Sequence, residues 1–170
     1  MQIMKCMRLL HSHVQPIADP SWIGQQGVPQ AVLQAREGRK AMPLVRIDLS
    51  KDAPAERIRV VSQAVYGAMT DIANVPIHDK FQIVTRHSTD EIIYPDEGYL
   101  GVTYSPDLIF IQITWVAGRS IDVKKRFYRR IADEIHEKAG VRKEDVWISL
   151  VDASREDWSF GNGDMQYAPK

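Results

Sequence analysis

Few residues in this chain combine a reactive type with a telling spacing. The five histidines, at 11, 13, 78, 87 and 136, are scattered, and His11 and His13, though close, sit in the N-terminal 42 residues, apart from the rest. Cys6 has no helix or base to activate it as a nucleophile. The chain has no Walker-type phosphate loop, no dinucleotide-binding glycine fingerprint and no Cys/His metal cluster. What remains is a short set: Pro43 in Ala41-Met42-Pro43-Leu44, Asp79, Arg119 in Gly118-Arg119-Ser120, and the aromatic pair Trp158 and Phe160. A guanidinium presents a fixed fork of donors that matches a carboxylate, and Arg119 stands at a helix start, where anions are already favoured. The plainer alternative is a solvated loop arginine. Asp79 precedes a strand and can serve either in chemistry or in an ordinary turn.

The elements that position these residues follow from an internal repeat. Sliding the sequence by 66 residues aligns two stretches without a gap. Leu44-Val45-Arg46-Ile47 falls on Phe110-Ile111-Gln112-Ile113, both short β-prone runs. Val61, Val65, Met69 and Ile72 fall on Phe127, Ile131, Ile135 and Lys138, with the apolar positions spaced as on one helix face. Asn74 falls on Gly140, the two residue types that best tolerate the left-handed conformation ending a helix. Asp79 falls on Asp145, and Phe81-Gln82-Ile83-Val84 on Trp147-Ile148-Ser149-Leu150. Each copy reads strand, helix, strand, so its two strands are parallel. The expected fold is α+β: two fused β-α-β units forming a four-stranded mixed sheet with two helices on one face.

Asp52 is expected to cap the first helix, with Pro54 in its opening turn, and Ser120 the second, with Asp122 near its positive end. The domain is divided into a unit at 43–84, a connector at 85–108, a unit at 109–152 and a tail at 153–170. The connector is expected to hold a short hairpin around Ile92-Ile93-Tyr94 and Leu100-Val102. In the tail, the glycines of Trp158-Ser159-Phe160-Gly161-Asn162-Gly163 suggest a tight turn presenting two aromatic rings. Residues 1–42 have no repeat partner. They hold three prolines, three glycines and five basic against two acidic residues, and read as an irregular extension with a short helix possible at 30–39.

Bulk properties narrow the functional classes. A chain of 170 residues fits one domain with a real core. Its formal net charge of zero argues against nucleic acid or an anionic membrane as the main partner. No apolar stretch approaches a membrane span, and Met1 to Leu10 shows no sustained hydrophobic region followed by a small-residue cleavage site, so a secretory leader is not expected there. A single cysteine excludes an internal disulfide and points to a reducing, cytoplasmic compartment.

Met42-Pro43-Leu44-Val45-Arg46-Ile47-Asp48 resembles the opening of the tautomerase superfamily. Gly118-Arg119-Ser120 opens the second helix as in that family. Val75-Pro76 with Asp79 and Phe81-Gln82-Ile83, and the Trp158-Ser159-Phe160-Gly161 tail, are similar to its malonate semialdehyde decarboxylase branch. The resemblance covers 43–168. It implies that the initiator methionine is removed and the exposed proline acts as general acid or base. It also implies Asp79 as the assisting acid, Arg119 as the carboxylate anchor, and Trp158 and Phe160 as an apolar wall. A homotrimer acting on a small carboxylate substrate is implied, with no metal or organic cofactor. One departure matters. The decarboxylase and haloacrylate dehalogenase branches carry two arginines in this loop, and Trp115-Val116-Ala117-Gly118-Arg119 carries one. That shifts the expectation from decarboxylation or hydration to keto–enol isomerisation of small 2-keto acids.

The chemistry has a strict covalent requirement. A free prolyl nitrogen is a secondary amine that an apolar pocket and a nearby cation keep unprotonated near neutral pH. Inside a chain it is a tertiary amide, neither basic nor nucleophilic. The mechanism therefore needs translation from Met42, which is the expectation, or cleavage of the extension. If Met1 is the true start, a non-catalytic small-molecule-binding domain is the better reading, with Pro43 merely starting an edge strand.

Overall fold

The computed structural model describes residues 42–167. The expectations for the 30–39 helix, Cys6, His11 and His13 lie outside the described residues. Strand β1 (Leu44–Ser50), helix α1 (Ala55–Asp71) and strand β2 (Phe81–His87) form the first unit. Strand β3 (Ile109–Val116), helix α2 (Ile121–Ala139) and strand β4 (Val146–Ala153) form the second. Strands pair in parallel within each unit, β1 with β2 and β3 with β4, and β1 runs antiparallel to β3. The sheet order is β2-β1-β3-β4. The α+β fold expected from the repeat is the fold observed.

Strand alternation decides which face the helices cover. Val45, Ile47, Leu49, Ile109, Ile111, Ile113 and Trp115 point to the helix side and are buried. Val61, Val65 and Met69 of α1 and Phe127, Ile131 and Ile135 of α2 meet them, all fully buried, so the four-residue spacing marks the core faces. Among the described residues, no helix covers the opposite face. Phe81, Ile83, Trp147 and Val151 are exposed there, beside an Asp48–His87 contact at 2.8 Å.

Both helix ends show how local sequence sets local structure. Ser120 caps α2, its hydroxyl accepting from the Val123 amide at 3.3 Å. Gly140 ends that helix at φ 65°, and Asn74 takes φ 54° after α1. Two expectations need correction. Asp52 does not cap α1. Pro54 itself is the N-cap residue and has no side-chain cap, while the Asp52 amide bonds to the Ser50 hydroxyl at 3.2 Å. The connector hairpin is smaller than expected. Tyr99 and Val102 bridge through a four-residue turn, and Ile92–Tyr94 form no strand. Gly98 is needed beneath that turn. At φ 79° a Cβ there would stand 2.2 Å from the Val102 carbonyl oxygen.

Candidate active site

The sheet register gathers the start of β1, the start of β2 and the ends of β3 and β4 at one end. Leu44 lies opposite Phe81 on one side and Thr114 on the other, and Val116 lies opposite Ala153. Pro43 immediately precedes β1 and is buried. Because β1 is one of the two central strands, Pro43 does not start an edge strand. It lines a cleft of about 350 Å³ with Met42, Leu44, Phe81, Asp157, Trp158 and Phe160.

The tail reaches this cleft through a short helical turn at Arg155–Asp157. Asp157 accepts from the Ser154 amide at 2.7 Å, one half of a reciprocal capping box. Beyond it Trp158 and Phe160 stack, with ring centres 5.7 Å apart and 19° between planes. Tyr167 meets Phe160 edge-on at 5.0 Å. The two rings therefore lie in the cleft that Pro43 lines. One atom in it stands out: the Trp158 indole nitrogen is buried without a hydrogen-bond partner among the described residues. Such a donor favours an acceptor arriving in the cleft, because an unpaired buried N–H costs about 1–3 kcal/mol.

Asp79 belongs to the turn before β2, two residues ahead of Phe81, with its amide bonded to the Pro76 carbonyl at 2.9 Å. It is half-buried at the Pro43 end of the sheet. Its repeat partner is placed quite differently. Asp145 is fully buried and accepts from the Ser105 amide and hydroxyl, each at 2.7 Å, and from Arg142 at 2.8 Å. Burial alone would push its carboxyl up, but the Arg142 and Ser105 hydrogen bonds outweigh it and hold the group below the usual range.

Arg119 follows β3 at the Pro43 end but lines a different cleft, of about 400 Å³, with Ile72, Ala73, Asn74, Ser120 and Val123. Its Nη1 donates to the Val116 carbonyl at 2.8 Å, and Nε and Nη2 to the Ala73 carbonyl at 3.3 Å. The guanidinium lies 4.1 Å from the centre of the Trp115 ring. Trp115 is fixed in turn by its indole N–H to Asp152 at 2.7 Å, and Lys124 holds the other Asp152 oxygen at 2.8 Å. Burial lowers the Arg119 pKa, and the Asp152 charge partly opposes it. The structure thus brings Pro43, Trp158 and Phe160 together, leaves Asp79 in the turn two residues ahead of Phe81, and turns Arg119 toward the end of α1. It adds Phe81 and Asp157, which the sequence reading had not placed in the site. The Ser154-Arg155-Glu156-Asp157 spacing is the signal that identifies the Asp157 turn. Among the described residues no group of three or more His, Cys, Asp or Glu is arranged to hold a metal, and no helix is long and apolar enough to cross a membrane.

A family model described as a tautomerase enzyme matches residues 79–161. A probable tautomerase of Bacillus subtilis (strain 168), YusQ, is 40% identical over 125 residues, covering 74% of this chain and 98% of the relative. A crystal structure of FG41 malonate semialdehyde decarboxylase inhibited by 3-bromopropiolate superposes with a TM-score of 0.66 at 38% identity, over 73% of this chain and 93% of that one. A fused 4-OT symmetric trimer, at 17% identity and a TM-score of 0.58, covers 71% of this chain and 93% of that one, and shares the fold alone. The doubled β-α-β sheet and a relative matched along nearly its whole length agree: this chain belongs to the tautomerase superfamily.

Proposed function

We propose that the domain at 43–170 is a keto–enol tautomerase of small 2-keto acids or their enols, with Pro43 as general base once Met42 is removed. The observation that carries this reading is the buried position of Pro43 in a cleft walled by Phe81, Trp158 and Phe160. For a prolyl amine freed there, burial favours the neutral, basic form, and the Asp157 carboxylate in the same cleft opposes it. The neutral amine then takes a proton from the enol oxygen or from the carbon next to the carbonyl. The electron pair shifts across the three-atom unit, and the protonated amine returns the proton at the other position. Atoms and charge are conserved, and neither oxidant nor cofactor is required.

Asp79 polarises the amine or relays its proton from the turn beside β2. Trp158 supplies the wall and, through its unpartnered indole N–H, a donor for a substrate oxygen. Arg119, which lines the neighbouring cleft at the same end of the sheet, is the proposed anchor for the substrate carboxylate. We propose a homotrimer, like the fused 4-OT trimer that shares the fold, with Ile83 and Val151, on the sheet face that no described helix covers, at its interface. The single Cys6 favours a reducing, cytoplasmic setting. The test is turnover of a 2-keto acid enol by protein beginning at Met42, checked by intact mass for loss of that methionine. Arg119→Lys is expected to raise KM about tenfold or more while leaving the pH profile in place. An unchanged KM rules Arg119 out as the anchor.

The second reading is decarboxylation or hydration of three-carbon acids by the same proline. The likeness to a malonate semialdehyde decarboxylase at 38% identity favours it. Carbon dioxide release from a three-carbon semialdehyde, exceeding enol turnover, would choose it. If only protein starting at Met1 exists in the host, a non-catalytic binding domain replaces both.

A further inference from the structure

The repeat has a second consequence, at the other end of the sheet. Shifting by 66 residues carries Met42, Pro43, Leu44 and Phe81 onto Leu108, Ile109, Phe110 and Trp147. Because β1 and β3 run antiparallel, the second set lies at the opposite end of the sheet. A cavity opens there too. It measures about 280 Å³ and is lined by Tyr94, Tyr99, Tyr104, Leu108, Phe110 and Trp147, among others. The correspondence extends beyond the strands. Trp158 and Phe160 of the tail close the Pro43 cleft, and Tyr94, Tyr99 and Tyr104 of the connector close this one.

Its chemistry differs in two ways. The residue in the place of Pro43 is Ile109, buried in the core, which has no amine to free. The lining contains no charged side chain, whereas Asp157 lines the Pro43 cleft. A charged ligand would lose its water there with no counter-charge in return, so the cavity suits a neutral guest. The walls define the shape of that guest. Phe110 meets Trp147 at 5.2 Å and 63°, and Tyr94 meets Tyr104 at 5.9 Å and 70°, so two edge-to-face pairs frame the space. A cavity of roughly 150 Å³ already accepts benzene, so the volume admits a single substituted ring. Among the described residues none of the three tyrosine hydroxyls has a hydrogen-bond partner, which leaves donors and acceptors for a polar substituent. The turn that carries Tyr99 depends on Gly98, whose place no side chain can take without meeting the Val102 carbonyl.

We propose that this cavity is a second, non-catalytic binding site for a small neutral planar ring carrying a hydroxyl or carbonyl group. The proposal does not depend on Pro43 chemistry. It is tested by saturation-transfer NMR on the full chain, with p-cresol as the probe and 4-methylbenzoate as its charged counterpart. p-Cresol is neutral at pH 7, its hydroxyl titrating near 10 as in tyrosine. The expected result is p-cresol binding with a dissociation constant on the order of 1 mM. Binding of 4-methylbenzoate at this cavity should be about tenfold weaker or more. Tyr99→Ala, at an exposed position, should weaken p-cresol about tenfold and leave the circular dichroism spectrum unchanged. Trp158→Ala should leave p-cresol binding intact. No p-cresol binding, as when a second copy covers the exposed Ile93 and Leu100, would overturn the proposal. Binding indifferent to Tyr99→Ala, or abolished by Trp158→Ala, would overturn it equally.

Discussion

The two ends of the sheet are built from the same repeat and have diverged in the residues that line them. Asp79 and Asp145 occupy equivalent places before β2 and β4. Asp145 is sealed in, with Ser105 and Arg142 supplying hydrogen bonds to both oxygens. Asp79 stays half-buried in the turn that precedes β2. The same divergence separates Pro43 from Ile109 and Arg119 from Ala53, which is fully packed in the core. A shared aspartate therefore carries no single meaning. At one end it ties the connector to the strand, and at the other it remains near the candidate chemistry.

The largest expected effect that sharpens this contrast is on Asp145. Asp145→Ala takes the acceptor from two Ser105 donors while leaving the half-exposed Arg142 to water, and should destabilise the fold by about 2–3 kcal/mol in urea titration. Asp79→Ala should cost no more than about 1 kcal/mol and instead lower turnover. Equal losses of stability would erase the distinction between the two ends. The pH dependence follows in sign. The folded-state pKa of Asp145 is depressed, so its contribution is present above the unfolded value of about 3.9 and is lost as pH falls through its lower folded value. Asp145→Asn should therefore flatten the acid limb of the melting-temperature profile below about pH 4.

A smaller contrast concerns the helix starts. Ser120→Ala should cost about 1 kcal/mol, because its hydroxyl satisfies the Val123 amide. Asp52→Ala should cost only a few tenths, since Asp52 caps nothing. The smallest effect on stability is expected from Trp158→Phe. It removes a buried donor that has no partner, so stability should hold within about 0.5 kcal/mol while KM for a carboxylate or keto substrate rises. A fall in stability well beyond that would make Trp158 a packing residue only.

How much of this was legible depends on the kind of information each feature needs. The sheet and both helices were readable because a repeated pattern of apolar spacing encodes them twice, and the left-handed residues Asn74 and Gly140 mark the helix ends. The pairing of Trp158 with Phe160 followed from their spacing before a glycine turn. Side-chain direction was not readable. Sequence places Arg119 at a helix start, but only the packed structure shows the guanidinium meeting the Ala73 carbonyl and the Trp115 ring. Asp52 has the right type to cap α1, yet Pro54 takes the N-cap position itself and leaves Asp52 two residues upstream. Ile92–Tyr94 is β-prone but has no partner strand, because the connector turns back later, at Tyr99–Val102. The cavity at the Ile109 end needed both sources, the repeat to suggest an equivalent place and the structure to show its tyrosines.

The account rests on Pro43 acting as a free amine, and one comparison tests that directly. Enol-to-keto turnover is measured for protein whose mass shows that it begins at Pro43, beside the same protein with Pro43→Ala and beside the full chain. The account predicts turnover in the first, a loss of about 10²–10⁴-fold in the second, and none above background in the third, where the nitrogen is an amide. Equal turnover by the full chain, or by the Pro43→Ala protein, would contradict it.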